Sequence, residues 1–147
     1  MYAHTIPSPS TDPRSLLEIA GARWALVGDA AALADPITGE GIYYALRSAQ
    51  ILARTLRSHA SPLGYAEAVL DDFGRDLLKA AALRDRFYAP GFVRRMVRYC
   101  RRSPALSRIL ADLVLGEQGY VGLKRRLLRA GPRFLLESAL APLLPAA

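Results

Sequence analysis

Two short stretches of this sequence, Gly28-Asp29 and Thr38-Gly39-Glu40-Gly41, combine carboxylates with glycines and could form a ligand site. Gly28-Asp29 ends the apolar run Trp24–Val27, and Thr38–Gly41 precedes an amphipathic segment. A carboxylate at the carboxyl end of a parallel strand lies where open α/β sheets bind ligands, and it accepts hydrogen bonds from the hydroxyls of a sugar or sugar alcohol. The free amides and positive dipole of a helix start suit an oxygen that carries negative charge.

The glycines in these stretches fit close contact with a ligand. We expect Gly28 to let a bulky group approach the backbone, and Gly39 and Gly41 to leave the helix-start amides uncovered. Pro36 stiffens the loop between them. Glu40 is either a catalytic acid or, as we favour, a first-turn carboxylate that complements the helix dipole.

The elements around these stretches are one strand and then helices. We predict a strand over Arg23–Asp29, buried on both faces because its apolar run does not alternate. The helix that follows should bury a stripe of apolar side chains at helical spacing, namely Ile42, Ala45, Leu46, Ala49, Leu52, Ala53 and Leu56. Tyr43 and Tyr44 follow Gly41, and we expect one to pack into the core while either could line a cavity.

Downstream of a turn at 58–64, helical segments are predicted at about 65–88, 91–101, 104–115 and 120–140, separated by prolines and glycines. An extended piece is predicted at 2–6. A single strand cannot form a sheet alone, because its backbone groups need partners on both edges. We therefore interpret the chain as a piece of a larger parallel-sheet protein.

The stretch GDAAALADPITGEGI resembles the second flavin-binding motif of the group that unites FAD-dependent aromatic monooxygenases with geranylgeranyl reductases. The portion DPITGEGI followed by YYALRSAQILA is closer to the reductase branch. The resemblance implies that Asp29 hydrogen-bonds the ribityl chain of FAD and that the amides of Thr38–Ile42 lie against the pyrimidine edge of the flavin. The implied FAD-binding set is Gly28, Asp29, Ala30, Pro36, Thr38, Gly39, Glu40, Gly41 and Ile42, with no catalytic residue assigned.

Two departures from the family pattern qualify this resemblance. Ala32 stands where family members often have glycine, and its methyl group could crowd the flavin loop. The family's GxGxxG fingerprint, which cradles the pyrophosphate, is missing from the chain. We expect another segment or chain to supply it, and this chain alone to be inactive.

The resulting expectation is an α/β fragment that is mostly α-helical. Residues 1–62 would be the last strand and flavin-contacting helix of an FAD-binding, Rossmann-like domain, and residues 63–147 a helical C-terminal region. The resemblance implies an oxidoreductase that uses FAD and NAD(P)H to reduce a carbon–carbon double bond, of an isoprenoid (geranylgeranyl-type) substrate. The alternatives are an FAD-dependent monooxygenase and, from another class, a non-catalytic remnant that binds a membrane surface or a partner.

Composition and charge limit the other function classes. Cys100 is the only cysteine and there are two histidines, so we expect no disulfide and no metal site. The net charge is +7, and residues 1–62 contain equal numbers of basic and acidic groups, so the excess lies downstream. We expect a solvated basic face or peripheral contact of the C-terminal helices with the inner membrane surface, a cytoplasmic location and no nucleic-acid binding, since no nucleic-acid motif accompanies the charge.

Overall fold

The computed structural model of this chain describes residues 6–59, 61–129 and 131. These residues are mostly helical, with one small sheet, which agrees with the predicted α/β fragment. They belong to two compact units, an N-terminal unit (residues 1–89) and a C-terminal unit (residues 90–147). The predicted boundary at 62/63 marks a turn within the N-terminal unit, and its meaning as a domain boundary stays a prediction.

The N-terminal unit begins with helix α1 (Arg14–Leu17) and a hairpin of strands β1 (Ala20–Gly21) and β2 (Trp24–Ala25). The strands pair antiparallel, with Ala20 opposite Ala25, and the Leu26 amide extends the pairing by donating to the Ile19 carbonyl at 2.8 Å. A single 3-10 turn (Gly28–Ala31) follows. Helix α2 (Ile42–His59) comes next, in the place that the sequence predicts.

The predicted strand Arg23–Asp29 is wrong in length and in burial. Only Trp24–Ala25 is a strand, and the side chains of Trp24, Leu26 and Val27 are exposed. The apolar run predicted a central strand of a parallel sheet, but its only strand partner among the described residues is the two-residue β1. The extended piece predicted at 2–6 lies almost wholly outside the described residues.

A second helical stretch completes the N-terminal unit. It consists of α3 (Tyr65–Val69), a π-helical turn (Leu70–Gly74) and α4 (Arg75–Phe87), where the sequence predicts one helix over 65–88. The π-turn adds a residue to the helical repeat, so that the consecutive residues Asp72 and Phe73 both contact α2. Asp72 accepts two hydrogen bonds from Arg47, at 2.9 and 2.6 Å, and the Phe73 ring lies 5.1 Å from that of Tyr44.

The core of the N-terminal unit lies among α1, the 3-10 turn, α2, α3 and the π-turn. Tyr65 is completely buried there, and its hydroxyl donates to the Leu26 carbonyl at 3.0 Å. The apolar residues that bury nine-tenths or more of their surface in this cluster are Leu16, Ile19, Ala31, Leu33, Ile51, Tyr65, Ala66, Val69, Phe73 and Leu77.

The buried face of α2 differs from the predicted one. Tyr44, Ser48, Ile51 and Leu52 face the core, whereas most of the predicted stripe is exposed, including Ile42, Leu46, Ala49, Ala53 and Leu56. The helix therefore has two apolar faces, and the described residues cover the one that carries Ser48 and the aromatic ring of Tyr44.

The C-terminal unit contains helices α5 (Phe92–Arg102), α6 (Pro104–Val114) and α7 (Leu123–Arg129). Ser103 begins α6 by accepting a hydrogen bond from the Leu106 amide, with Pro104 in the first turn. Arg126 of α7 pairs with Asp112 of α6. The predictions for α5 and α6 are confirmed, and the part of the predicted 120–140 helix beyond Arg129 lies outside the described residues apart from Gly131.

No helix in the described ranges is both long enough and apolar enough to cross a bilayer.

Candidate flavin-binding turn

The loop between the 3-10 turn and α2 is held in shape by Asp35, which is 4% exposed. Its Oδ1 accepts hydrogen bonds from the amides of Ile37 and Thr38, at 2.7 and 3.1 Å. Its backbone closes the loop, since the Asp35 amide donates to the Glu40 carbonyl and the Gly39 amide donates to the Asp35 carbonyl, both at 2.9 Å. An Asp followed by proline commonly makes such a turn. The loop is therefore fixed by its own residues.

The far end of α4 supports the same loop. Tyr88, which follows the last residue of α4, donates its hydroxyl hydrogen to the Ile37 carbonyl at 2.8 Å. Ile37 itself is 9% exposed, so its side chain anchors the loop in the N-terminal unit. This contact spans 51 residues of sequence, and no local sequence signal indicates it.

Gly28 joins the end of the hairpin to α2. Its amide donates to the Ser48 hydroxyl at 3.1 Å, and that hydroxyl donates to the Ala45 carbonyl at 2.9 Å. Gly28 has a φ of +54°, and a Cβ at this position would stand 2.8 Å from the Cβ of Ala45. Packing against α2 thus requires glycine at this position. That Gly28 also lets a ligand approach the backbone stays a prediction.

The first turn of α2 is partly capped and partly open. Glu40 lies just before α2, and its Oε1 accepts a hydrogen bond from the Tyr43 amide at 2.9 Å, so its carboxylate caps the helix start. The choice between a dipole-complementing carboxylate and a catalytic acid stays a prediction. The amides of Gly41 and Ile42 have no acceptor among the described residues. Ile42 is 77% exposed and Gly41 is half-buried, so the start of α2 carries two amides that no described residue accepts from.

Asp29 lies directly beside this open turn. A Cβ built on Gly41 would stand 3.4 Å from Asp29 Oδ1, so the carboxylate and the start of α2 are neighbours. Asp29 is exposed, and its carboxylate accepts no hydrogen bond from the described residues. The hydrogen-bond acceptors of the Asp29 carboxylate therefore lie close to the backbone N–H donors of Gly41 and Ile42.

The two tyrosines of α2 have different environments. Tyr43 is 56% exposed, whereas Tyr44 packs against Phe73, so the expectation that one of them enters the core is confirmed. Burial, with added repulsion from the carboxylates of Asp35 and Asp76, raises the pKa of Tyr44. Tyr44 therefore stays a neutral phenol throughout the physiological pH range.

The structure brings the predicted site residues into one loop and helix start. Asp29, Ala30, Thr38, Gly39, Glu40 and Ile42 are exposed, Pro36 and Gly41 are half-buried, and Gly28 is buried. Sequence reasoning missed three residues that position them, Asp35, Ser48 and Tyr88. The sequence Asp35-Pro36 is typical of a turn and could have indicated the role of Asp35. Cofactor binding by the predicted residues stays a prediction.

Comparison with known proteins finds a similarity over part of the chain. Over 100 residues the chain is 33% identical to menaquinone reductase of Mycobacterium tuberculosis, in the sequences of two strains. The aligned part is 65% of this chain and 24% of the relative, so the chain spans about a quarter of the length of the curated relatives it matches. No protein-family model and no solved structure matches. The similarity is therefore to proteins named as oxidoreductases.

Proposed function

We propose that this chain forms one side of the FAD site of an oxidoreductase. The observation that carries the proposal is the position of the Asp29 carboxylate beside the free amides of Gly41 and Ile42. A carboxylate that can accept hydrogen bonds from hydroxyls thus lies next to amides that can donate to an oxygen. A flavin with its ribityl chain needs both kinds of group. The similarity to menaquinone reductase supports the same class of chemistry.

The residues present fit FAD. Asp29 would accept hydrogen bonds from ribityl hydroxyls, and the amides of Gly41 and Ile42 would donate to an oxygen of the pyrimidine edge. Donors at this edge favour negative charge on the flavin, which makes hydride acceptance easier. When bound, FAD would supply hydride transfer between NAD(P)H and the substrate. The residues of this chain would bind and orient it, with Asp35 and Ser48 keeping the loop and the turn in place.

The substrate we propose is an isoprenoid lipid with a reducible carbon–carbon double bond. Menaquinone, which the relatives' name contains, joins a quinone ring to an apolar isoprenoid chain. A reductase name favours reduction over the hydroxylation that a monooxygenase would perform. The resemblance to geranylgeranyl reductases favours the isoprenoid chain as the position of reduction, and the quinone ring is the competing position.

We further propose that the remainder of an FAD-binding domain, with its GxGxxG segment, covers the outer face of α2. That face exposes Ile42 (77%), Leu46 (63%) and Leu56 (42%), together with Ala49 and Ala53. A row of apolar side chains of this extent commonly marks an interaction surface. Burying this surface would stabilise the assembly by about 25 cal/mol for each Å² of apolar surface removed from water. The sheet of that domain is the natural occupant, since the apolar run before Asp29 has only the two-residue β1 as a strand partner among the described residues.

The reaction is tested with this chain co-expressed with a GxGxxG-containing segment from the upstream coding region. The complex is incubated with FAD, NADH or NADPH and menaquinone, and the products are fragmented in a mass spectrometer. We expect a product heavier by two hydrogen atoms in the isoprenoid chain. Asp29→Ala should abolish it, whereas Asp85→Ala, which removes another exposed carboxylate of the N-terminal unit, should not. Two hydrogens on the quinone ring would contradict the proposed position, and an added oxygen would contradict reduction itself.

A further inference from the structure

The positive charge of this protein belongs to one unit. Residues 90–147 carry eleven of the twenty basic side chains and only three of the thirteen acidic ones, a net charge of +8. Residues 1–89 carry the rest and have a net charge of −1. The division of the fold at residue 90 thus coincides with the division of charge.

Helix α5 concentrates this charge. It contains five arginines and no acidic residue within its eleven positions. Like charges three and four residues apart repel one another on a helix, so this composition lowers helix stability and an anion bound to the helix would relieve the repulsion. Arg94, Arg98 and Arg101 are exposed, and none of them pairs with a carboxylate in the part of the chain that the structure describes.

Two valines share the exposed side of α5 with these arginines. Val93 and Val97 are 46% and 48% exposed, and the helical repeat places both beside Arg94, Arg98 and Arg101. Phe92, Met96, Tyr99 and Cys100 lie on the half-buried side. We call the exposed set, Val93, Arg94, Val97, Arg98 and Arg101, the α5 face.

We propose that the α5 face docks the protein on a bilayer that contains anionic phospholipid. Arginines that have no carboxylate partner among the described residues attract the negative surface of such a bilayer, and valines between them enter the boundary between headgroups and acyl chains. A nucleic-acid surface would use the arginines and leave the valines without a role. This inference goes beyond the proposed flavin function, and its test has no redox readout, so either can fail without the other.

The test measures co-sedimentation of the full chain with sucrose-loaded vesicles. We expect binding to vesicles of equal parts phosphatidylglycerol and phosphatidylcholine, little binding to phosphatidylcholine alone, and a loss of binding as salt is raised. Each arginine contributes about a fivefold change in partition, so Arg94→Gln/Arg98→Gln/Arg101→Gln should weaken binding roughly a hundredfold. The matched control, Arg54→Gln/Arg57→Gln/Arg86→Gln, removes the same charge from exposed arginines outside the α5 face and should weaken binding much less, since only the α5 face is proposed to contact the lipid.

A second variant separates lipid insertion from simple counter-charge. Val93→Asn/Val97→Asn keeps every charge and should reduce vesicle binding at least severalfold, with circular dichroism confirming that helix content is retained. Unchanged binding by either α5 variant would overturn the proposal. So would equal binding to both kinds of vesicle, or binding to a short DNA duplex without binding to anionic vesicles, which would assign the charge to nucleic acid.

Discussion

The Gly28 amide donates a 3.1 Å hydrogen bond to the buried hydroxyl of Ser48, twenty residues away in the sequence. This bond fixes the end of the hairpin on α2, and Asp29 follows immediately. The position of the Asp29 carboxylate beside Gly41 therefore depends on a serine in the middle of a helix. The same serine donates to the Ala45 carbonyl, so both of its hydrogen-bonding functions are used.

Replacing Ser48 tests this connection. Ser48→Ala leaves the Gly28 amide buried without its acceptor, and we expect a loss of about 1–3 kcal/mol in the free energy of unfolding. Urea denaturation followed by circular dichroism measures the loss. Ser58→Ala, at an exposed position near the end of α2, is the control and should change stability by less than about 0.5 kcal/mol. Equal stability of the two variants would show that the bond contributes nothing.

Two glycines of the motif should differ in how much an alanine substitution destabilises the protein. Gly28→Ala places a methyl group 2.8 Å from the Ala45 Cβ at a positive φ, and we expect destabilisation by about 2–4 kcal/mol. Gly41→Ala meets ordinary contacts, at 3.4 Å from Asp29 Oδ1 and 3.8 Å from the Ala34 Cβ, and should cost less than about 1 kcal/mol. Thermal melting of both variants gives the comparison. If Gly41→Ala is the more damaging to stability, the described packing of Gly28 is incorrect.

The sequence predicted where α2 lies but not which face it buries. Its apolar residues fit two stripes, and periodicity favoured the longer one through Ile42, Leu46 and Ala53. The choice between them is made by distant residues, because Tyr44 meets Phe73 and Ser48 meets Gly28. A hydrophobic pattern indicates which positions could be buried. Where the described residues contain nothing that covers a face, the pattern predicts more burial than the structure shows.

Ala32 is the only non-glycine residue with a positive φ in the described part of the chain, at 55°. This is the position where members of the family that the sequence resembles often have glycine. A left-handed conformation costs an alanine about 1 kcal/mol, so Ala32→Gly should stabilise the protein by up to that amount. Ala53→Gly, in the exposed middle of α2, should instead destabilise it by about 1 kcal/mol. Chemical denaturation of both variants should therefore show opposite signs, and the same sign would contradict the conformation of Ala32.

The ion pair between Arg47 and Asp72 predicts a pH dependence of stability. The hydrogen bonds from Arg47 lower the pKa of Asp72 from its ordinary value of 3.8. The pair therefore contributes stability above about that pH, and the contribution is lost as the pH falls through the lowered pKa. Asp72→Asn should reduce stability at pH 7 and have progressively less effect below the ordinary value. Denaturation midpoints measured across this range provide the check.

The control for that prediction is Asp71→Asn. Asp71 pairs with Arg75 one turn along the same helical stretch, and both side chains are about two-thirds exposed. An exposed pair of this kind contributes little. A pH-dependent loss of the same size in both variants would argue against a specific role for the Arg47–Asp72 pair.

The candidate site was predictable where its residues are contiguous. Asp29 and the glycines of the α2 start were found from local chemistry and from the family resemblance, and the structure brings Asp29 next to Gly41. Tyr88 was not predictable in this way, because its contact with Ile37 depends on how α4 packs. Local sequence indicates which groups could bind a ligand, whereas the residues that position them come from tertiary structure.

Flavin absorbance of the purified complex tests the central claim most directly. The chain is co-expressed with the GxGxxG-containing segment, and wild type, Asp29→Ala and Asp85→Ala are purified side by side with their helix content measured. We predict that wild type and Asp85→Ala retain FAD and are yellow, and that Asp29→Ala assembles but is colourless. A folded, colourless wild-type complex, or equal flavin retention by Asp29→Ala, would contradict the assignment of this turn as a flavin site.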